Sequence, residues 1–283
     1  MINLVGELRN FVMRSFLIAA AILCFGQAAQ AADLPFLRGS FQDEPIAPRR
    51  MWDGFYLGAQ AGVGQSDMNF TDATRTLAGG LLSGTALDAA GQVSSWPLLG
   101  KSSSRGDGWG GFVGYNSQWD DVVIGLEMSY MHGKFGGSQF GTMSRSFVDS
   151  GGYTNGVTYD ATARMSITDM GTLRARAGYA FGAFLPYAFG GVALAQADIV
   201  RSVNVYGRAV NPAAAPGFTD IPFNLSRSEG QYSHLIYGYT AGLGVDINLI
   251  GGLFARAEWE YVRFTSTVDT NVNTVRAGVG YKF

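Results

Sequence analysis

The sequence predicts an all-β fold: an eight-stranded antiparallel up-and-down transmembrane β-barrel with long external loops. Three observations carry this. Apolar and small or polar residues alternate with period two in eight separate stretches. The links between those stretches alternate long and short. Past residue 26, no apolar run approaches the ~20 residues that a helix needs to cross a bilayer. The 283 residues include 40 Gly and 13% aromatics but only 15% charged residues, which suits strands better than solvated helices. Twenty Lys+Arg against 22 Asp+Glu leave a net charge of −2, so there is no basic field to attract nucleic acid.

Residues 1–31 read as a signal peptide. Arg9 and Arg14 give a positive start, Phe16 to Gly26 an apolar stretch, and Ala29-Gln30-Ala31 a small-x-small site, with cleavage expected between Ala31 and Ala32 after Sec-type export. Cys24, the one cysteine, lies between Leu23 and Phe25, too bulky for a lipid-attachment box, and leaves with the signal. Residues 32–51 carry three prolines and both signs of charge without periodicity, and are expected to be an extended periplasmic tail before a barrel domain over 52–283.

The strands follow in order. The first, 54–64, alternates Phe55, Leu57, Ala59, Ala61 and Val63 with Tyr56, Gly58, Gln60 and Gly62. The second, 108–119, sets Val113, Tyr115 and Trp119 against Gly114, Asn116 and Gln118; the third, 122–130, sets Val122, Ile124, Leu126, Met128 and Tyr130 against Gly125, Glu127 and Ser129. The fourth ends with Leu173, Ala175, Ala177 and Tyr179 opposed to Arg174, Arg176 and Gly178, and on the fifth Leu185, Tyr187 and Phe189 share a face. The last three pair apolar faces with Asp246, with Arg256, Glu258 and Glu260, and with Arg276 and Lys282. A solvated exterior would carry more Lys and Glu than these polar faces do, so the small and polar face is expected inside and the apolar face against lipid. Trp52, Phe55, Tyr115, Trp119, Tyr130, Tyr179, Tyr187, Trp259, Tyr261, Tyr281 and Phe283 are then expected to form the interfacial girdles.

Long links are expected at about 65–107, 135–160 and 198–231, with a shorter one near 265–271; tight periplasmic turns are expected at Asp120-Asp121, Phe181-Gly182 and Asn248–Gly251. Strands of ~10 residues leave most of the mature chain as loop, which should be its mobile part. Glu127, Arg174, Arg176, Asp246, Arg256, Glu258, Glu260, Arg276 and Lys282 all fall on the inward face. Eight strands enclose an interior just wide enough to be filled by side chains, so these groups are expected to form a closed network of ion pairs and hydrogen bonds; the competing reading is a narrow ion path.

The segments WDGFYLGAQAG (52–62), GGFVGYNSQW (110–119), GTLRARAGYAFGAFLPYAFGG (171–191), YGYTAGLGVD (237–246) and VRAGVGYKF (275–283) resemble the small "porin family" outer-membrane β-barrel proteins of α-proteobacteria, among them surface antigens and haemin-binding proteins. The resemblance implies location in the outer membrane, with lipid and lipopolysaccharide as surroundings. It also implies that Tyr281 and the terminal Phe283 serve as the signal read by the barrel-assembly machinery. Some members are linked to peptidoglycan through a mature Ala-Asp start, which Ala32-Asp33 matches, and twenty extended residues reach about 60 Å. In some relatives external loops bind haem; here His132 and His234 lie near expected external strand ends.

Catalysis is not expected. Ser129, Ser233 and Asp149 lie near the two histidines in sequence, but no motif joins them into a constellation. There is no P-loop, dinucleotide fingerprint or EF-hand, so no cofactor is expected. The resulting expectation is a structural protein of the envelope and its surface, with a low-conductance porin for ions or small solutes and a loop-based haem or ligand binder as alternatives.

Overall fold

The computed structural model describes residues 51–283 apart from Thr267. The expected signal peptide, its Ala31/Ala32 cleavage site and the tail up to Arg50 lie outside the described residues.

Eight antiparallel strands close into a barrel in sequence order, β1 pairing with β8. They are β1 Gly54–Asn69, β2 Lys101–Trp119, β3 Val122–Val148, β4 Thr154–Tyr179, β5 Phe184–Val210, β6 Asp220–Ile250, β7 Leu253–Phe264 and β8 Asp269–Lys282. The short links all fall at one end. Asp120 adopts φ 50° between β2 and β3, and Gly182 and Gly251 adopt φ 59° and 62° in the next two, the left-handed backbone that tight hairpins demand.

Strand length departs from expectation. β3 to β6 run 26–31 residues, against about 10 for a tilted strand that only crosses the membrane. Most of 135–160 and 198–231, expected as loop, is strand that continues past the membrane, with hairpin bends only at 149–153 and 211–219. The reason is visible on β4. Val157, Tyr159, Ala161, Ala163, Met165 and Ile167 are buried on the inner face, while Thr158, Asp160, Thr162, Arg164 and Ser166 face outward. This is the alternation of a water-surrounded sheet. Nearer the turns, the same strand buries Arg174 and Arg176 and exposes Leu173 and Tyr179. A bulge between Ile167 and Asp169 separates the two regimes. The polarity swap marks where hydrocarbon ends.

In the membrane half, Leu57, Val63, Ile124, Leu126, Leu173, Val192, Tyr239, Leu243 and Val279 are exposed on the outer face. Phe55, Tyr115, Trp119, Tyr179, Trp259, Tyr281 and Phe283 are exposed, and Tyr130 and Tyr261 half-buried. Trp52 and Tyr187 are corrections to the expected girdle: both are buried inside, in an aromatic cluster with Tyr56, Phe112, Leu185, Phe189 and Phe254. On β5 both faces are apolar, since Phe184, Val192 and Leu194 lie opposite Leu185, Tyr187 and Phe189, so period two alone cannot tell lipid from lumen there. Small residues admit the rings: a Cβ on Gly280 would meet the ring of Phe254 at 2.3 Å.

The β1–β2 link carries helix α1 (Arg75–Leu82), helix α2 (Ala86–Gly91) and a 3₁₀ turn at Val93–Ser95. Phe70, Leu77, Ala78, Leu82, Leu87, Val93, Trp96 and Leu99 from this link form one core with the inner faces of the strands, including Phe135, Met165, Ile199, Val205 and Phe264. The link is a packed plug, not the open loop expected from its length.

Candidate functional site

The lumen is the place where sequence, fold and chemistry converge. Alternation turns Glu127 on β3, Arg174 and Arg176 on β4, Asp246 on β6, Arg256, Glu258 and Glu260 on β7 and Arg276 on β8 to the inner face, and barrel closure brings them together. Arg174, Arg176, Arg256 and Arg276 meet Glu127, Asp246, Glu258 and Glu260, all at most 3% exposed.

Glu127 is the hub. Its Oε1 accepts from Arg174 Nε at 2.9 Å and also from Arg174 Nη2. Its Oε2 accepts from Arg256 Nη1 at 2.8 Å, Arg176 Nη1 at 3.3 Å and the Tyr56 hydroxyl at 2.7 Å. Asp246 receives Arg256 Nε at 2.8 Å and Arg176 Nη2 at 2.7 Å. Glu258 receives Arg174 Nη2 at 2.8 Å and the Tyr187 hydroxyl at 2.6 Å. Glu260 accepts from Thr240 Oγ1 at 2.8 Å and meets Arg276. Arg276 also donates to Thr274 and Ser129. Four bases against four acids leave the layer neutral.

The guanidinium planes rest on rings. Arg256 Cζ lies 3.9 Å from the Phe112 ring centre, Arg176 3.7 Å from Tyr187 and Arg174 4.1 Å from Phe189. These rings form the periplasmic floor, where Trp52 Nε1 donates to the Gly182 carbonyl at 3.2 Å. The lumen is thus filled in three layers: aromatic floor, ionic middle and apolar plug.

Lys282 stands apart from the ionic layer. It is half-buried at the periplasmic mouth, with Nζ 3.4 Å from the Asp53 carbonyl. Its position as the last residue of β8, past Gly278 and Gly280, takes it beyond reach of the acids. Tyr281 and Phe283 lie on the outer face beside β1, where the Phe283 amide donates to the Phe55 carbonyl at 2.9 Å.

The two histidines do not form a pair. His132 on β3 has Nδ1 2.9 Å from Asp169 Oδ1 and sits edge-on to Trp109. His234 is on β6, opposite Ala197, with β4 and β5 between the two strands. Among the described residues no group of three or more His, Cys, Asp or Glu is placed to hold a metal. Asp149 tops the β3–β4 hairpin, and Ser129 is bonded inside the lumen to Gln60.

Sequence reasoning missed Tyr56 and Tyr187 as partners of the acids, and Arg201. Arg201 faces inward from the external part of β5, donating to the Ala73 carbonyl of the plug at 2.9 Å and pairing with Glu229 at 2.9 Å. Its signal was present: it continues the buried series Ala197, Ile199, Val203, Val205, which looked like loop.

A family model described as an outer membrane protein beta-barrel domain matches residues 17–283. The 25 kDa outer-membrane immunogenic protein of Brucella ovis is 24% identical over 276 residues, covering 94% of this chain and 96% of that protein. The 22 kDa outer membrane protein of Rhizobium leguminosarum bv. viciae is 24% identical over 252 residues, covering 86% and 83%. The solved structure of Ail, the attachment invasion locus protein of Yersinia pestis, matches over 82% of this chain and 99% of its own at 13% identity, with a TM-score of 0.35. With a match that spans nearly its whole length and an eight-stranded closed ring, the chain belongs to the outer membrane protein β-barrel domain family and is a protein of the outer membrane.

Proposed function

We propose that this protein is a closed structural barrel: it reinforces the outer membrane and presents a rigid wall at the cell surface, without conducting solutes. The observation that supports this reading is the filled lumen. A water-filled path would leave its lining groups accessible, yet Arg174 and Glu127 in the ionic layer and Ala163, Met165 and Leu82 above it are all between 0% and 1% exposed. The competing porin reading needs the ionic layer to part, which would separate charges that are costly to leave unpaired in a narrow interior. The name of the Brucella ovis relative, an outer-membrane immunogenic protein, is consistent with a chain presented at the surface.

The test is a deletion in the native strain, scored for detergent sensitivity and small-solute uptake together. Detergent sensitivity with normal uptake is expected; an uptake defect with normal detergent resistance would overturn the proposal. Attachment to peptidoglycan through Ala32 belongs to the same reading. Mass spectrometry of purified peptidoglycan checks it, and a preparation carrying no peptide at Ala32 removes that part.

A further inference from the structure

The outer wall carries a cavity of about 590 Å³ across β7, β8, β1 and β2, within the ~300–1,000 Å³ range of small-molecule sites. Its lining changes character with height, and the register shows how. One row runs Trp259, Val275, Val63, Asp107 from strand to strand; the row above it runs Tyr261, Asn273, Gln65, Arg105. Below, the rows become small: Ala257, Ala277 and Ala61 lie side by side before Trp109. All three alanines are exposed on the outer face. The result is a trough lined below by Val63, Val275 and Trp259 and opening upward onto the amide, guanidinium and carboxylate groups of Gln65, Asn273, Arg105 and Asp107, with the three alanines continuing the outer face beneath it.

The trough lies on the lipid-facing side and opens at the end opposite the tight turns. Its lower part therefore faces hydrocarbon and its upper part the outer-leaflet headgroups. Two tryptophans at that height suit the interface. We propose that the trough holds one acyl chain of an outer-leaflet lipid, with a phosphorylated sugar headgroup bound above it, that is, the lipid A end of lipopolysaccharide. Arg105 supplies the fork of donors that fits a phosphate. Gln65, Asn273 and Asp107 offer the mixed donors and acceptors that sugar hydroxyls and amide-linked acyl groups require. Just above, Asp67 accepts from Gln65 Nε2 at 2.9 Å and Ser103 Oγ at 2.5 Å, which holds the Gln65 amide at the rim.

The experiment is native mass spectrometry of the full mature chain, extracted from its own outer membrane in mild detergent. The wild type is expected to retain one phosphorylated glycolipid. Val63→Phe and Val275→Phe fill the trough, and Arg105→Gln removes the phosphate fork; each is expected to lower the retained fraction at least tenfold. Ala175→Phe, on the outer face of β4 away from the trough, serves as the control and is expected to leave retention unchanged. Heat-modifiable mobility on gels confirms that each variant is a folded barrel, and Arg105→Gln, which leaves the packing untouched, carries the test should a phenylalanine variant fail to fold. A wild type that retains no lipid or only phosphatidylethanolamine, or trough variants that retain glycolipid like the wild type, would overturn the proposal.

Discussion

The two halves of this barrel obey opposite rules. In the membrane half, leucine, valine and aromatic side chains point out while arginine and glutamate fill the centre. In the external half, threonine, serine and asparagine point out while alanine, valine, methionine and isoleucine fill the centre. The solvent decides: hydrocarbon outside favours apolar outer faces, and water outside favours polar ones. One continuous β4 serves both because a bulge at Ile167–Asp169 lets the inner face pass from Arg174 and Thr172 to Ile167 and Met165. What the strand pair gives up in regular pairing at the bulge, it regains by keeping the correct chemistry on each side of the interface.

The halves also differ in how they hold together, and mutations separate them. The largest effect is expected at the ionic hub. Glu127→Ala leaves Arg174, Arg176 and Arg256 short of a buried counter-charge, a loss of about 3–5 kcal/mol. The urea midpoint in detergent micelles measures it; a shift equivalent to less than 1 kcal/mol would show that the ionic layer is not a cooperative unit.

In the plug, Leu82→Ala empties space at a wholly buried position and is expected to cost about 2–4 kcal/mol. The loss should be local. Hydrogen exchange should quicken through 70–100 while β7 and β8 keep their protection, and uniform acceleration would argue against two separate layers.

A smaller change is expected from Arg201→Ala. It removes the bond from the wall to the Ala73 carbonyl and the pair with Glu229, and about 1–3 kcal/mol of plug attachment with them. Protease cleavage within 70–100 reads this out, and an unchanged cleavage rate would mean that apolar packing alone seats the plug.

The smallest effect belongs to the β3–β4 hairpin. Asp149 accepts from the Asn155 side chain and from the Tyr153 and Gly151 amides, and these bonds, the one from Asn155 foremost, hold its carboxyl below the ordinary value of 3.8. A depressed carboxyl contributes its stabilisation above the unfolded-state value and loses it as pH falls through the folded one. The Gly151 and Tyr153 amides should therefore stay protected at neutral pH and open only below about pH 4. Opening that sets in near pH 6 would point to another group.

Much of this was legible beforehand. Glycine-spaced alternation such as Leu173, Ala175, Ala177 against Arg174, Arg176 names a membrane strand and its inward charges in one reading. The two-residue and glycine turns fixed the strand order. The external strands escaped because VTYDATARMSI (157–167) alternates in the soluble sense, which looks like noise to an eye tuned to lipid-facing apolar residues. The side taken by Tyr187 is ambiguous in sequence because both faces of β5 are apolar, and only the arginine stacked on its ring settles it. The plug helices are eight and six residues long, too short for a periodic signal. Which charges pair was beyond sequence, since Glu127 and Arg256 are 129 residues apart and meet only through closure of the ring.

Single-channel recording of a barrel whose plug, residues 71–99, is replaced by a short flexible linker puts the closed lumen to the most direct test. If the ionic layer and its aromatic floor seal the barrel by themselves, the bilayer current stays flat, as it should for the intact protein. Discrete conductance steps that persist through stringent purification, and that vanish when the plug is restored, would mean that the plug alone keeps a pore shut.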